Sequence, residues 1–190
     1  MKSFGALAFL LLLAGCAAAP PITYLQLAPV AGPAARVTRS GPPIRVAQVE
    51  MPPAIDRLGL TRETGTSTLA VDPNASWAAP LDGMATQVLA ENLASRLPGT
   101  KVLMPGEVMP RGTVRVVRVD VLRFLPIAAA GAEHVALDAY WQVVTSENHV
   151  AHSGHAQIRV ASAAGAPAEA AAMSHSLGEL ADQIAAAVAR

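Results

Sequence analysis

Cysteine is almost absent from the chain: 190 residues contain one, Cys16. No disulfide can close within it, and a lone thiol is out of place in an exported protein unless it is modified. There is no surplus of basic charge either, with 14 Lys and Arg against 14 Asp and Glu. That balance lacks the cations that neutralise phosphates, which argues against nucleic acid as the main partner and against adhesion to anionic lipid through charge. No apolar run reaches the roughly 20 residues a membrane-spanning helix needs. Gly-x-Ser-x-Gly elbows, phosphate loops, dinucleotide fingerprints and paired-carboxylate motifs are all missing. No internal repeat is found. These absences favour a non-enzymatic chain with no cofactor and no metal.

What is present begins at the N-terminus. Lys2 precedes an apolar run from Phe4 to Leu13, and small residues follow. A positive start, a short apolar core and small residues at a cut site form a secretory signal. Leu13-Ala14-Gly15-Cys16 resembles the bacterial lipobox. The resemblance implies cleavage before Cys16, a diacylglycerol on its sulfur and an acyl group on its amine. The competing reading is a signal that happens to end in a free or buried cysteine. Three acyl chains exceed the one-chain case that anchors only marginally. Residue 17 is Ala rather than Asp, which by the sorting rule of enterobacterial lipoproteins implies the periplasmic face of the outer membrane. Residues 1–15 are then a signal peptide and 16–22 a lipidated tether, so short that the body rests close to the membrane. Removing 15 residues from 190 leaves 175, with 13 basic and 14 acidic side chains.

Along the body, short strands are expected at 23–27, 44–50, 60–63, 68–71 and 101–104, and longer ones at 113–124, 133–145 and 149–160. Residues 28–43, rich in Pro, Gly and Ala, read as a loop. Ser76 is the expected N-cap of a first helix, with Pro80 in its first turn and Met84, Val88, Leu89, Leu93 and Leu97 on one face. Pro98-Gly99 ends it. The 113–124 strand changes parity between Val116 and Val117, which suggests a bulge or burial on both faces. From Glu133 to Thr145 apolar and polar residues alternate, with Val135, Leu137, Ala139, Trp141 and Val143 on the buried side. Ser146-Glu147-Asn148 is a hairpin turn, and Val150, Ala156, Ile158 and Val160 point inward on the returning strand. A second helix spans 167–189, with Met173, Leu177, Leu180, Ile184 and Val188 as its apolar stripe. The expected fold is α+β: a two-layer sandwich of a largely antiparallel sheet with two long amphipathic helices packed on it.

Few residues offer chemistry. His149, His152 and His155 lie close in sequence, yet alternation points His152 away from the others, and His149 and His155 lie about 20 Å apart along a strand. One metal ion cannot bridge that distance. Ser153-Gly154-His155 lies mid-strand and makes a poor nucleophile site. Asp56, Arg57 and Trp77 are better candidates for a partner surface. The plainer alternatives are a local ion pair bracing a turn and a tryptophan folded onto the sheet.

From Ile44 onward, the chain resembles the ABC-type transport auxiliary lipoproteins, the PqiC/YmbA family. The matching positions are Val46, Val49, Pro52, Asp56, Arg57, Trp77, Ala78, Pro80, Leu81, Asn92, Leu93, Leu97 and Pro98, then Val119, Asp120, Leu122, Arg123 and Phe124, and Leu137 to Trp141. Leu58-Gly59 stands where the family often has Pro-Gln, and Ser76 where it often has Arg. The resemblance implies one auxiliary domain over residues 23–190. It also implies partnership with an MCE-domain protein and its inner-membrane permease and ABC components, in an envelope lipid transport system. Self-association is left open. A lipoprotein regulator of cell-wall synthesis or of lipopolysaccharide export is the alternative.

Overall fold

A computed structural model describes residues 20–35, 41–129, 132–145 and 148–190. Cys16, the signal and the first part of the tether lie outside the described residues. The strands are β1 (Thr23–Leu25), β2 (Ile44–Val46), β3 (Gly59–Gly65), β4 (Thr68–Trp77), β5 (Val102–Leu103), β6 (Arg115–Ala129), β7 (Ala132–Val144) and β8 (Val150–Ala161). The helices are α1 (Leu81–Arg96), between β4 and β5, and α2 (Ala166–Val188), which follows β8.

The eight strands form one sheet built around β6. β7 lies along one edge of β6 and carries β8 beyond it, and both pairings are antiparallel. On the other edge, β2 pairs with the first half of β6 and β3 with its far end, both in parallel. β5 adds to β2 in parallel, β4 adds to β3 antiparallel, and β1 adds to β4 in parallel. The sheet is therefore mixed, not largely antiparallel. The alternation in β7 shows which side is buried but not the direction of a neighbour. Strands of two or three residues, such as β1, β2 and β5, are too short to carry any pattern. Both helices pack on the sheet and on each other: α1 touches β2 and β5, and α2 touches β1, β6, β7 and β8. Leu89, Leu93 and Leu97 of the α1 region join Leu177, Leu180 and Ile184 of α2 and the inward residues of β6 and β7 in the core.

Three local expectations shift, each for a backbone reason. The first helix starts at Leu81, not Ser76. The Trp77 amide donates to the Leu58 carbonyl at 2.6 Å and the Ala78 amide to Leu25 at 2.8 Å, so the sheet takes these donors. The Ser76 hydroxyl also turns back to Leu58, and Pro80 takes the cap position with no side-chain cap. At the other end Gly99, at φ 87°, follows the helix in the left-handed region that glycine adopts freely. In β6 the irregularity falls at Leu122, between the Val121–Ala139 and Arg123–Asp138 pairs, and Val116 and Val117 pair without interruption. Leu122, the extra residue, is exposed. On β8, a register shift between the Val144–Val150 and Val143–His152 pairs turns Val150 outward, while Ala156 and Ile158 are buried as expected. Asn148 holds φ 61° in the turn before β8, a conformation that asparagine tolerates.

Candidate docking surface

The start of α1 opens onto an apolar concavity of about 640 Å³. Leu27, Ala78, Pro80, Met84 and Val88 give it an apolar lining, and Gln26, Gln48 and Asp82 a polar one. Its shape follows from the way the chain enters the helix. Residues 77 and 78 are fixed by the sheet, Pro80 sets the turn, and Gly83 leaves open space where any side chain would project. The Asp82 carboxylate accepts from the Gly83 amide at 2.6 Å and from the Gln48 side chain. An acidic group in the first turn suits the positive end of the helix. Thr86, one turn on, accepts from the Val49 amide at 2.9 Å and so ties the segment after β2 to α1. Val49 is buried there, and the same segment hydrogen-bonds along β6 through Ala47 and Glu50.

The candidate residues fall in different places. Asp56 and Arg57 occupy the corner before β3, both exposed, with their amides turned in to Pro52 and Ile55. Among the described residues they form no ion pair with each other. Trp77 is 2% exposed and belongs to the core, so its ring offers no surface to a partner. A β4 that runs through residue 77 puts the ring on the inward side with Ala75. What Trp77 does is structural: its backbone bond to Leu58 seats the Asp56-Arg57 corner beside the entrance to α1.

Two polar clusters, one buried and one partly buried, carry no signal in the apolar pattern of the sequence. In the first, residues 26–35 are strapped across both helices. Ala28 donates to the Ser174 hydroxyl, Val30 donates to the Asn92 amide oxygen, and Ala35 donates to the Arg96 carbonyl. The Arg96 guanidinium, 1% exposed, donates to Asp182 at 2.6 Å, to the Val30 carbonyl at 2.8 Å and to the Asn92 carbonyl at 3.1 Å. Asn92 and Arg96 lie four residues apart beside the apolar stripe, a spacing that marks a shared buried face. In the second cluster, Arg62 on β3 grips Glu169 at the start of α2 through Nε and Nη2, at 2.7 and 2.6 Å, and Asp72 on β4 through Nη1 at 2.7 Å. The Glu169 bonds, the largest effect, hold the Arg62 pKa above its ordinary value against the cost of burial. The bond from Arg62, followed by the Asn74 amide, holds the Asp72 carboxyl below the usual carboxylate range.

The histidines are dispersed. His155 donates through Nε2 to the Asp138 carboxylate at 2.6 Å and stacks on Tyr140 with ring centroids 4.3 Å apart, whereas His152 points to the other side of β8 and is half-buried. Among the described residues, no group of three or more His, Cys, Asp or Glu could hold a metal ion. No helix of the described residues is long and apolar enough to cross a membrane.

A family model described as the ABC-type transport auxiliary lipoprotein component matches residues 25–185. The chain belongs to that family. The match takes in the auxiliary-lipoprotein strap, the α1 entrance and both helices. Two solved structures share the fold of this auxiliary lipoprotein. One is a crystal structure of an uncharacterized protein, 20% identical, with a TM-score of 0.67 over 90% of this chain and 97% of that one. The other is a Xanthomonas campestris protein of the DUF330 family, 15% identical, with a TM-score of 0.69 over 86% of this chain and 93% of that one. No curated protein matches the sequence.

Proposed function

We propose that this auxiliary lipoprotein is a non-enzymatic docking component of an MCE-type lipid transport system. A thioether-linked diacylglycerol and an N-acyl group on Cys16 anchor it at the periplasmic face of the outer membrane. The body receives the MCE-domain protein, which works with an inner-membrane permease and ABC components. The family match over residues 25–185 carries this reading. The α1 concavity supports it, since an apolar floor with a few polar groups at its margin suits a protein segment better than a polar substrate. The exposed Asp56-Arg57 corner, tied to the chain ahead of α1 by the bond from the Trp77 amide to the Leu58 carbonyl, adds a charged patch on the way into the helix.

The test is affinity purification of the lipidated protein from membranes, with mass spectrometry of the co-purifying proteins and Cys16→Ala as the mislocalised control. An MCE protein or its ABC partners, recovered with the native chain and depleted with the control, is the expected result. Recovery of cell-wall synthases or lipopolysaccharide exporters without any MCE component overturns it.

A further inference from the structure

We infer that the β3–β4 hairpin tip rests on the lipid bilayer as a second foothold beside the acyl anchor; this deepens the lipid-anchored reading above and rests on it. Strand direction carries the inference. β1 runs parallel to β4, β4 antiparallel to β3, and β3 parallel to β6. The chain therefore enters β1 from the direction of the end where β3 turns into β4 and where β6 finishes, with Thr23 seven residues along β4 from Thr68 at that turn. The hairpin tip at that end is uncharged. Residues 64–71, Thr-Gly-Thr-Ser-Thr-Leu-Ala-Val, carry no ionisable group and are all exposed, with Leu69 and Val71 each at 45%. β6 carries no charge from Phe124 to its last residue, Ala129. Around the tip the charges are Glu63, which Arg123 pairs at 3.1 Å, and Glu133, which faces Ala128 next to the last residue of β6.

Reach agrees with direction. Cys16 and Thr23 are seven residues apart, which bounds their separation at about 25 Å. Thr23 pairs with Ala75, and Thr68 at the hairpin turn is also seven residues from Ala75, which sets the same bound of about 25 Å. A lipid on Cys16 can thus enter a bilayer that the hairpin tip touches. Exposed aliphatic side chains on an uncharged two-stranded tip invite edge pairing in free solution. Against a bilayer they add apolar burial, and one acyl anchor is strengthened by a second weak contact. The tip has no cation, so zwitterionic lipid suffices.

The acylated full-length protein tests this after reconstitution into phosphatidylcholine vesicles with and without a spin-labelled lipid quencher. With Cys16 acylated, a cysteine introduced by Thr66→Cys in the turn, or by Ser153→Cys at the opposite end of the sheet, is the one free thiol for an environment-sensitive dye. Intact mass, read on the same sample, reports acylation. The expected result is an acylated chain with at least about threefold stronger quenching at position 66 than at 153, since quenching requires lipid contact. An acylated chain with equal quenching at the two positions, or none at 66, overturns the foothold alone and assigns the tip to a protein partner. A chain without acyl mass overturns the anchored reading and the foothold with it.

Discussion

Arg96 holds its guanidinium 1% exposed between α1, α2 and the strap of residues 26–35. A buried cation with four hydrogen-bond partners cannot be removed without orphaning them. Arg96→Ala leaves the Val30 carbonyl without its donor and Asp182 without its cation. It is expected to lower stability by about 2–4 kcal/mol, read as a shift in the urea midpoint. Gly32 depends on the same group, because a Cβ there would lie 2.2 Å from an Arg96 guanidinium nitrogen. Gly154 meets Trp141 in the same way: a Cβ there would lie 2.5 Å from the indole ring, so Gly154→Ala is expected to cost about 1–3 kcal/mol in the same urea measurement. At this scale, sequence reasoning found the apolar stripes almost residue for residue but missed their polar neighbours. Asn92 and Arg96 look like solvent-facing residues until the strap that covers them is known, and a Pro- and Gly-rich segment does not announce what it covers.

Secondary elements were legible where a pattern was long and misplaced where a long-range hydrogen bond decided the boundary. The alternation of β7 and the stripe of α2 were read correctly. The start of α1 was not, because the donors of Trp77 and Ala78 go to Leu58 and Leu25, each far away in sequence. The parallel partners of β6 were equally hidden, since pairing direction is set by the crossover through α1 and not by the strands themselves. Two predictions belong to this scale. Gly83 lies in α1 with open space around its missing side chain. Gly83→Ala is expected to raise stability by about 0.5–1 kcal/mol, measured by urea denaturation, while narrowing the concavity and weakening partner recovery. The Arg62 clasp joins β3, β4 and α2, and Asp72 in it titrates below its ordinary range. The unfolded chain therefore binds that proton first as pH falls. The stability due to Asp72 is complete above the unfolded carboxyl value of about 4 and is lost below it. Denaturation midpoints from pH 7 to 3 are expected to fall less steeply below about pH 4 in Asp72→Asn than in the native chain, from a lower starting stability.

For the molecule as a whole, the sequence offers two strong signals, the lipobox-like start and the family pattern, and neither names a contact surface. Of the three residues expected at a partner surface, Asp56 and Arg57 are exposed and Trp77 is buried. The difference is physical: a large apolar ring at the end of a strand is worth more in a core than in water. The family pattern reads as a way of shaping the α1 entrance rather than as a row of contacts. Val49, Trp77 and Leu81 are buried beneath it, and Ala78 and Pro80 form part of its lining. Charge reversal at Arg57→Glu is then expected to weaken partner recovery without changing the denaturation midpoint, because the side chain is exposed and makes no ion pair among the described residues.

The most direct measurement of the docking claim is photocrosslinking in living cells. A photoreactive residue replaces Met84 in the concavity or Arg57 at the exposed corner before β3, with Ser153 on the exposed face of β8 as the control position. Crosslinks from 84 and 57, but not from 153, to an MCE-domain protein are the predicted result. Crosslinks from 84 and 57 to components of another envelope machine, with no MCE protein among them, would contradict the account.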